Sequence, residues 1–111
     1  DLANRPSNHD AEEEHDHDDF DSFIVEVPRL AAPQELVERI SRAAQAHDIL
    51  RVKGFIDIEG KPMRLLVQGV GNRIQHQFDR PWRAGEERQG RIVVIGEKGL
   101  DAEAIRGIIA G

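Results

Sequence analysis

The chain has 111 residues and a mass of 12.5 kDa, which is enough for one domain with a hydrophobic core. It contains no cysteine, which excludes disulfides, thiolate metal sites and a cysteine nucleophile. The formal net charge of −6 comes from residues 1–22, which carry nine acids and one arginine; the remainder has no dense basic patch with aromatic groups, so nucleic-acid binding is not expected.

Hydropathy bears on where the protein works. No apolar run approaches the ~20 residues that a membrane-spanning helix needs, and no basic-then-apolar signal segment opens the chain. We therefore expect a soluble, cytoplasmic protein without a membrane partner.

The first 22 residues are polar, lack apolar periodicity and are expected to form an acidic, histidine-rich linker, here called the leader (residues 1–22). Its candidate metal ligands are His9, His15, Asp16, His17 and Asp18. Imidazole suits zinc, nickel, cobalt and copper, and carboxylates can complete a coordination shell. The entropy of ordering a flexible cluster opposes tight binding. The alternative is a solvated linker whose histidines have no specific role.

A domain is expected over residues 23–111, and it opens with a strand followed by a helix. Apolar residues alternate from position 23 to position 27, and Pro28 ends this strand. From Pro33 to about Ala46, apolar residues recur at helical spacing with acids in the early turns, which predicts an amphipathic helix.

Alternation of apolar and polar residues predicts three strands in the middle of the chain, at 50–58, 63–68 and 73–79. The first of these should place Leu50 on its buried face and Asp57 on its exposed face. Turns containing glycine, proline or asparagine separate the strands, which favours antiparallel hairpins.

The run Ile92–Ile95 is apolar on both faces, which is typical of a strand inside a sheet that is covered on both sides. A second helix is predicted from Leu100, with Asp101 as its N-cap. The order β-α-β-β-β-β-α predicts an α+β domain: a mostly antiparallel sheet of about five strands, with two helices packed on one face.

Isolated polar and aromatic residues offer weaker signals. His76 lies between apolar residues of a predicted strand and His47 ends the first helix, and both positions have ordinary structural explanations. Trp82 follows a proline corner; together with Arg80 and Arg83 it could anchor a partner, or it could simply cover the core.

No catalytic motif is recognisable. The glycine pairs at 69–72 and 96–99 lack the strand-to-helix setting or the Gly-Lys-Ser/Thr ending of a phosphate-binding loop. No Ser-His-Asp or Cys-His set can be argued from sequence order. We therefore do not expect this chain to be an enzyme by itself or to bind a nucleotide.

Several ordered blocks resemble the C-terminal domain of CobW-type GTPases across residues 9 to 110. They are HDHDDFDSF at 15–23, ILRVKGF at 49–55, QGVG at 68–71, DRPW at 79–82 and VVIG at 93–96. The resemblance implies a two-part metallochaperone in which an N-terminal P-loop GTPase domain carries a cysteine-rich metal motif and a histidine-rich linker leads to this domain. CobW proteins are associated with cobalt insertion in cobalamin biosynthesis, and relatives with zinc or nickel.

This chain has neither a Walker motif nor cysteine, so GTP hydrolysis and the main metal site would lie in an N-terminal part. The resemblance implies an accessory domain that contacts its GTPase domain, with a client metalloprotein or a cobaltochelatase as a further partner, while the leader holds cobalt, zinc or nickel. Two alternatives stay open: a purely structural interaction module without a metal role, and a small-molecule unit built on His76, Trp82 and nearby arginines.

Overall fold

The computed structural model describes residues 20–71 and 73–111. The strands are β1 (Phe20–Val27), β2 (Ile49–Ile56), β3 (Met63–Val70), β4 (Arg73–Pro81) and β5 (Gly90–Glu97), and the helices are α1 (Pro33–Ala46) and α2 (Ala102–Ile109). None of the helices in these two ranges is long and apolar enough to cross a bilayer.

The five strands form one antiparallel sheet in the order β1-β5-β2-β3-β4. β2, β3 and β4 follow one another as hairpins, whereas β5 returns to lie between β1 and β2. The predicted α+β class, with about five antiparallel strands and two helices, is confirmed. β5 occupies an inner position, as its apolar sequence indicates.

The hydrophobic core lies between one face of the sheet and the two helices. On the strands, apolar residues at alternate positions are buried, while α1 and α2 bury one stripe each. The largest fully buried side chains are Leu36, Ile40, Ile56, Ile58, Leu65, Ile92, Ile105, Ile109, Val25, Val27, Val67 and Val94. The Arg39 Nη1 group also donates to the carbonyl oxygen of Ile109 over 3.1 Å and links the helices.

Both helix starts follow from local sequence. Pro33 lies in the first turn of α1, where its missing N–H has no helical partner to lose. The Asp101 carboxylate accepts a hydrogen bond from the backbone N–H of Ala104 at 3.1 Å and caps α2. His47 is the C-cap of α1, and its backbone N–H donates to Ala43.

Three sequence expectations about burial were wrong. Leu50 is exposed, because the pairing register of β2 with β5 shifts between Ile49 and Arg51, and Ile49 takes the buried place. Asp57 was expected on the exposed face but is 2% exposed, since β2 ends before it. Among the described residues, helices cover the strand β5 on one face only, and Val93 on its other face is 40% exposed.

The predicted leader and the start of the domain meet at β1. This strand begins at Phe20, so the last three positions of the leader belong to the sheet. Residues 1–19 lie outside the described residues.

Candidate functional site

The face of the sheet opposite the helices, here called the open face, exposes several large apolar side chains of the described domain. Cross-strand partners share a face, so the row Ile24, Val93, Lys53 and Gln68 runs across four neighbouring strands. Ile24 is 52% exposed. Val70 in the adjacent row is 61% exposed. An apolar surface of this kind, rimmed by polar groups, is typical of a contact site.

A shallow groove of about 590 Å³ crosses the open face. Its lining includes Ile24, Phe55, Val93 and Ile95. Among the described residues that line it, three are cationic and none is acidic; the cations are Arg51, Lys53 and Arg91. The groove therefore combines apolar contact area with positive charge.

An aromatic and ionic stack lies at one side of the open face. The guanidinium carbon of Arg64 lies 3.5 Å from the centre of the Phe55 ring, and Arg64 also contacts the carboxylate of Asp79 at 2.6 Å. Because the stack joins β2, β3 and β4, it restrains the Phe55 ring in the lining of the groove.

The candidate partner anchors Arg80, Trp82 and Arg83 lie at the end of β4 and in the loop that follows it. Arg80 forms two hydrogen bonds with Glu86, and the backbone N–H of Arg83 donates to the same carboxylate over 2.8 Å. The hydrogen bonds from Arg80 and then from Arg83 lower the pKa of Glu86 to about 2. The hydrogen bond with Glu86 likewise raises the pKa of Arg80.

Trp82 is half-buried beside the β2–β3 turn, where its backbone N–H donates to the carbonyl oxygen of Pro62 over 3.0 Å. Its indole Nε1 is buried and has no acceptor among the described residues. Arg80, Trp82 and Arg83 are thus close in space, with the charge of Arg80 already engaged inside the domain.

Asp57 is a residue whose environment the sequence reasoning missed. Arg29 Nε donates to its Oδ2 over 3.0 Å, and Arg88 Nη1 lies 3.9 Å from its Oδ1. Arg29 and Arg88 are separated from Asp57 by long stretches of chain, so no spacing rule could have joined them. The arrangement holds the segment before α1 against the β2–β3 turn, where Leu30 and Ile58 form a parallel bridge.

The candidate histidines are spread widely. His76 is exposed on the edge strand β4, beside a cavity of about 100 Å³ lined by Leu66 and three glutamines rather than by Trp82 or an arginine. The five leader ligands His9, His15, Asp16, His17 and Asp18 lie outside the described residues. Within 20–71 and 73–111, no group of three or more histidine, aspartate or glutamate side chains is arranged to hold a metal ion.

The glycine-rich turn after β5 is used inside the domain. The backbone N–H of Gly99, whose φ is +96°, donates to the Asp21 carboxylate over 2.8 Å. This contact ties the turn that leads into α2 to the start of β1. The Gly99 N–H therefore donates to a carboxylate inside the domain, whereas in a phosphate-binding loop such a group would donate to a phosphate.

Comparison with known proteins identifies the family. A family model of the cobalamin synthesis protein CobW C-terminal domain matches residues 20–111. The chain is 51% identical over 113 residues to a zinc chaperone CobW of Sinorhizobium sp, with 98% of this chain and 32% of the relative covered. It is 54% identical over 106 residues to a zinc chaperone CobW of Pseudomonas aeruginosa, with 94% and 28% covered.

A solved structure of the same family also matches this chain. The crystal structure of the Zn(II)-bound YjiA GTPase from Escherichia coli matches with a TM-score of 0.66 and 32% identity, over 96% of this chain and 33% of that one. The chain therefore spans about a third of the length of the relatives it matches. The family match over residues 20–111 confirms the resemblance seen in the sequence, and the chain belongs to the CobW C-terminal domain family.

Proposed function

We propose that this chain is the accessory C-terminal domain of a CobW-type GTPase that delivers zinc to a client protein. The observation that carries the proposal is the 51% identity to a zinc chaperone over 98% of this chain. GTP hydrolysis would belong to an N-terminal domain of the parent protein, because the residues present include no phosphate-binding loop. The domain would contribute protein contacts.

The open face supports a contact role. Its apolar side chains are exposed, and two of its groove-lining cations, Arg51 and Lys53, can select a partner by charge, whereas Arg91 already contacts Glu26 and Glu87. The parent's GTPase domain and a client metalloprotein are the two kinds of partner that such a chaperone requires. A cobaltochelatase would be the client only if the cargo is cobalt.

The leader would hold the metal in transit. Its proposed ligands are His9, His15, Asp16, His17 and Asp18. Imidazole nitrogens and carboxylate oxygens bind zinc, and the same donors accept cobalt and nickel, so the donor set by itself does not select the metal. Zinc is the first choice because the relatives from Sinorhizobium and Pseudomonas are named zinc chaperones.

Calorimetric titration with Zn²⁺, Co²⁺ and Ni²⁺ tests the metal role. We expect the chain to bind Zn²⁺ and the H9A/H15A/H17A variant to lose most of that heat. The matched control is H47A/H76A, which removes the two histidines outside the leader and should bind like the original chain. Equal heats from the chain and from the leader variant would remove the leader from metal handling.

A second candidate function is an interaction module without a metal role, and the uncovered apolar face favours it. The same titration separates the two, because this alternative requires no specific heat with any of the three metals. A GTP hydrolysis assay on the isolated chain provides a further check. Turnover above the buffer rate would contradict the assignment of hydrolysis to another domain.

A further inference from the structure

We propose that the open face binds an amphipathic helix of a partner protein, with apolar side chains that fill the groove and carboxylates that meet Arg51 and Lys53. This inference deepens the contact role proposed above by naming the surface and the chemistry of its partner. It does not depend on which metal is carried.

The first argument is the sequence of β5. Its residues are apolar on both faces, a pattern typical of strands that are covered on both sides. The helices cover Ile92 and Val94, whereas Val93 is exposed and Ile95 is only half-buried. Ile24 on the neighbouring strand pairs with Val93 and extends the apolar surface. Within residues 20–71 and 73–111, no helix covers the apolar side chains that β1 and β5 present on this side.

The second argument is charge. Arg91 contacts Glu26 and Glu87 at 3.8 and 3.2 Å, but Arg51 and Lys53 form no ion pair with any residue in 20–71 or 73–111. Both stand on β2, the central strand, among apolar side chains. An apolar partner that covered them would desolvate two cations that have no ion-pair partner among the described residues, at a large cost. A partner that carries carboxylates avoids that cost and gains charge-assisted hydrogen bonds.

The third argument concerns the form of the partner. The inner strands β5, β2 and β3 are hydrogen-bonded to neighbours on both sides, so a segment lying on the face cannot add itself to the ladder. A helix satisfies its own backbone groups and can pack its apolar stripe on a sheet, as α1 and α2 do on the opposite face.

A second copy of the chain fits this surface less well. A symmetric contact places the same patch of both copies face to face, so the cations at 51 and 53 of each copy would approach the groove of the other. The groove lining offers no carboxylate among the described residues to compensate them. Charge complementarity therefore favours a different, acidic partner.

The test uses two synthetic helical peptides that share a leucine stripe and differ in the flanking residues, glutamate in one and lysine in the other. Binding to the chain is measured by fluorescence anisotropy at low salt with a chelator present, so that metal plays no part. We expect the glutamate peptide to bind at least ~10-fold more tightly, and we expect added salt to reduce the difference. In NMR spectra of the chain, the amide signals that shift when the glutamate peptide binds should cluster at Ile24, Lys53 and Val93.

Two double variants complete the test. R51E/K53E should lose the preference for the glutamate peptide. R42E/K98E makes the same change in net charge at exposed positions away from the open face, on α1 and in the turn after β5, and should keep the preference. Peptide shifts on the helices, or equal binding of both peptides to the original chain, would overturn the proposal.

Sedimentation velocity over a range of concentrations tests whether a second copy of the chain occupies the open face. A dimer of the original chain that V93E dissociates would assign the open face to a second copy and reject the acidic helix. If the calorimetric titration showed no zinc binding, the metal proposal would be contradicted, but the peptide result would be unchanged. The two proposals can therefore be rejected independently.

Discussion

Arg80 and Glu86 form an ion pair with two hydrogen bonds across the loop after β4, from Nη1 to Oε1 at 3.0 Å and from Nη2 to Oε2 at 2.9 Å. The same carboxylate accepts the backbone N–H of Arg83. Since these bonds are made to the ionised acid, they lower the pKa of Glu86 from an ordinary 4.5 to about 2.

The lowered pKa predicts a pH dependence of stability. The contribution of Glu86 is fully present above pH 4.5, its ordinary pKa, and is lost as the pH falls towards about 2. We expect E86Q to melt at a lower temperature than the original chain near neutral pH, with the difference shrinking across that range. Thermal melts of both proteins over a pH series measure this. A difference that stays constant with pH would assign the effect to packing rather than to the carboxylate.

Gly54 is predicted to be intolerant of any side chain. A Cβ at this position would overlap the carbonyl oxygen of Arg91 and lie 2.6 Å from the Cα of Ile92, both in the backbone of β5. Because backbone atoms of a paired strand cannot move aside cheaply, G54A should lower the free energy of unfolding by about 1–3 kcal/mol. Urea unfolding measures this change.

The control for Gly54 is the same substitution at Gly107, which lies in α2 with open space around the position of a Cβ. G107A should raise the free energy of unfolding by up to about 1 kcal/mol, since alanine favours a helix. If both substitutions raised the free energy of unfolding, the close approach of β2 to β5 would not explain the glycine at 54.

Arg29 is predicted to stabilise the fold through Asp57. Its removal in R29A leaves a buried carboxylate without its closest donor, because Arg88 Nη1 lies farther away, at 3.9 Å. We expect a loss of about 1–3 kcal/mol in urea unfolding. R42A removes an exposed arginine of α1 and should change stability by less than about 0.5 kcal/mol. Equal effects of the two substitutions would contradict a specific role for the Asp57 contact.

Asp101 is predicted to stabilise α2 as its N-cap. D101A removes the acceptor of the Ala104 N–H and should cost about 1 kcal/mol in urea unfolding. D101N keeps an oxygen that can accept the same hydrogen bond and should retain most of the stability. If asparagine and alanine were equally destabilising, the cap hydrogen bond would not be the cause.

Local patterns predicted most of the secondary structure. The bounds of α1, the cap of α2 and the alternation along β3 all depend on neighbouring residues, which the sequence displays directly. The prediction was wrong for Leu50 and Asp57. For Leu50 the cause is a bulge in β2, and a bulge depends on how a strand pairs with distant partners, whereas Asp57 lies beyond the end of β2, where the alternation of the strand no longer applies.

Less of the candidate site could be predicted from the sequence. The leader ligands remain a prediction, and the cluster of Arg80, Trp82 and Arg83 is local in the chain. The Asp57 pair with Arg29 and the groove of the open face could not be read from spacing, because their members come from elements far apart in the sequence.

The sequence by itself determined the class of the domain, its helices and its family, since periodicity, caps and ordered motifs are properties of short segments. Only the tertiary structure decided that β5, apolar on both sides, is covered on one side alone and that Arg51 and Lys53 stand unpaired beside it within the described chain. The physical reason is that coverage and charge compensation depend on which elements pack together, and antiparallel pairing joins β1, β5 and β2 across long separations in the chain.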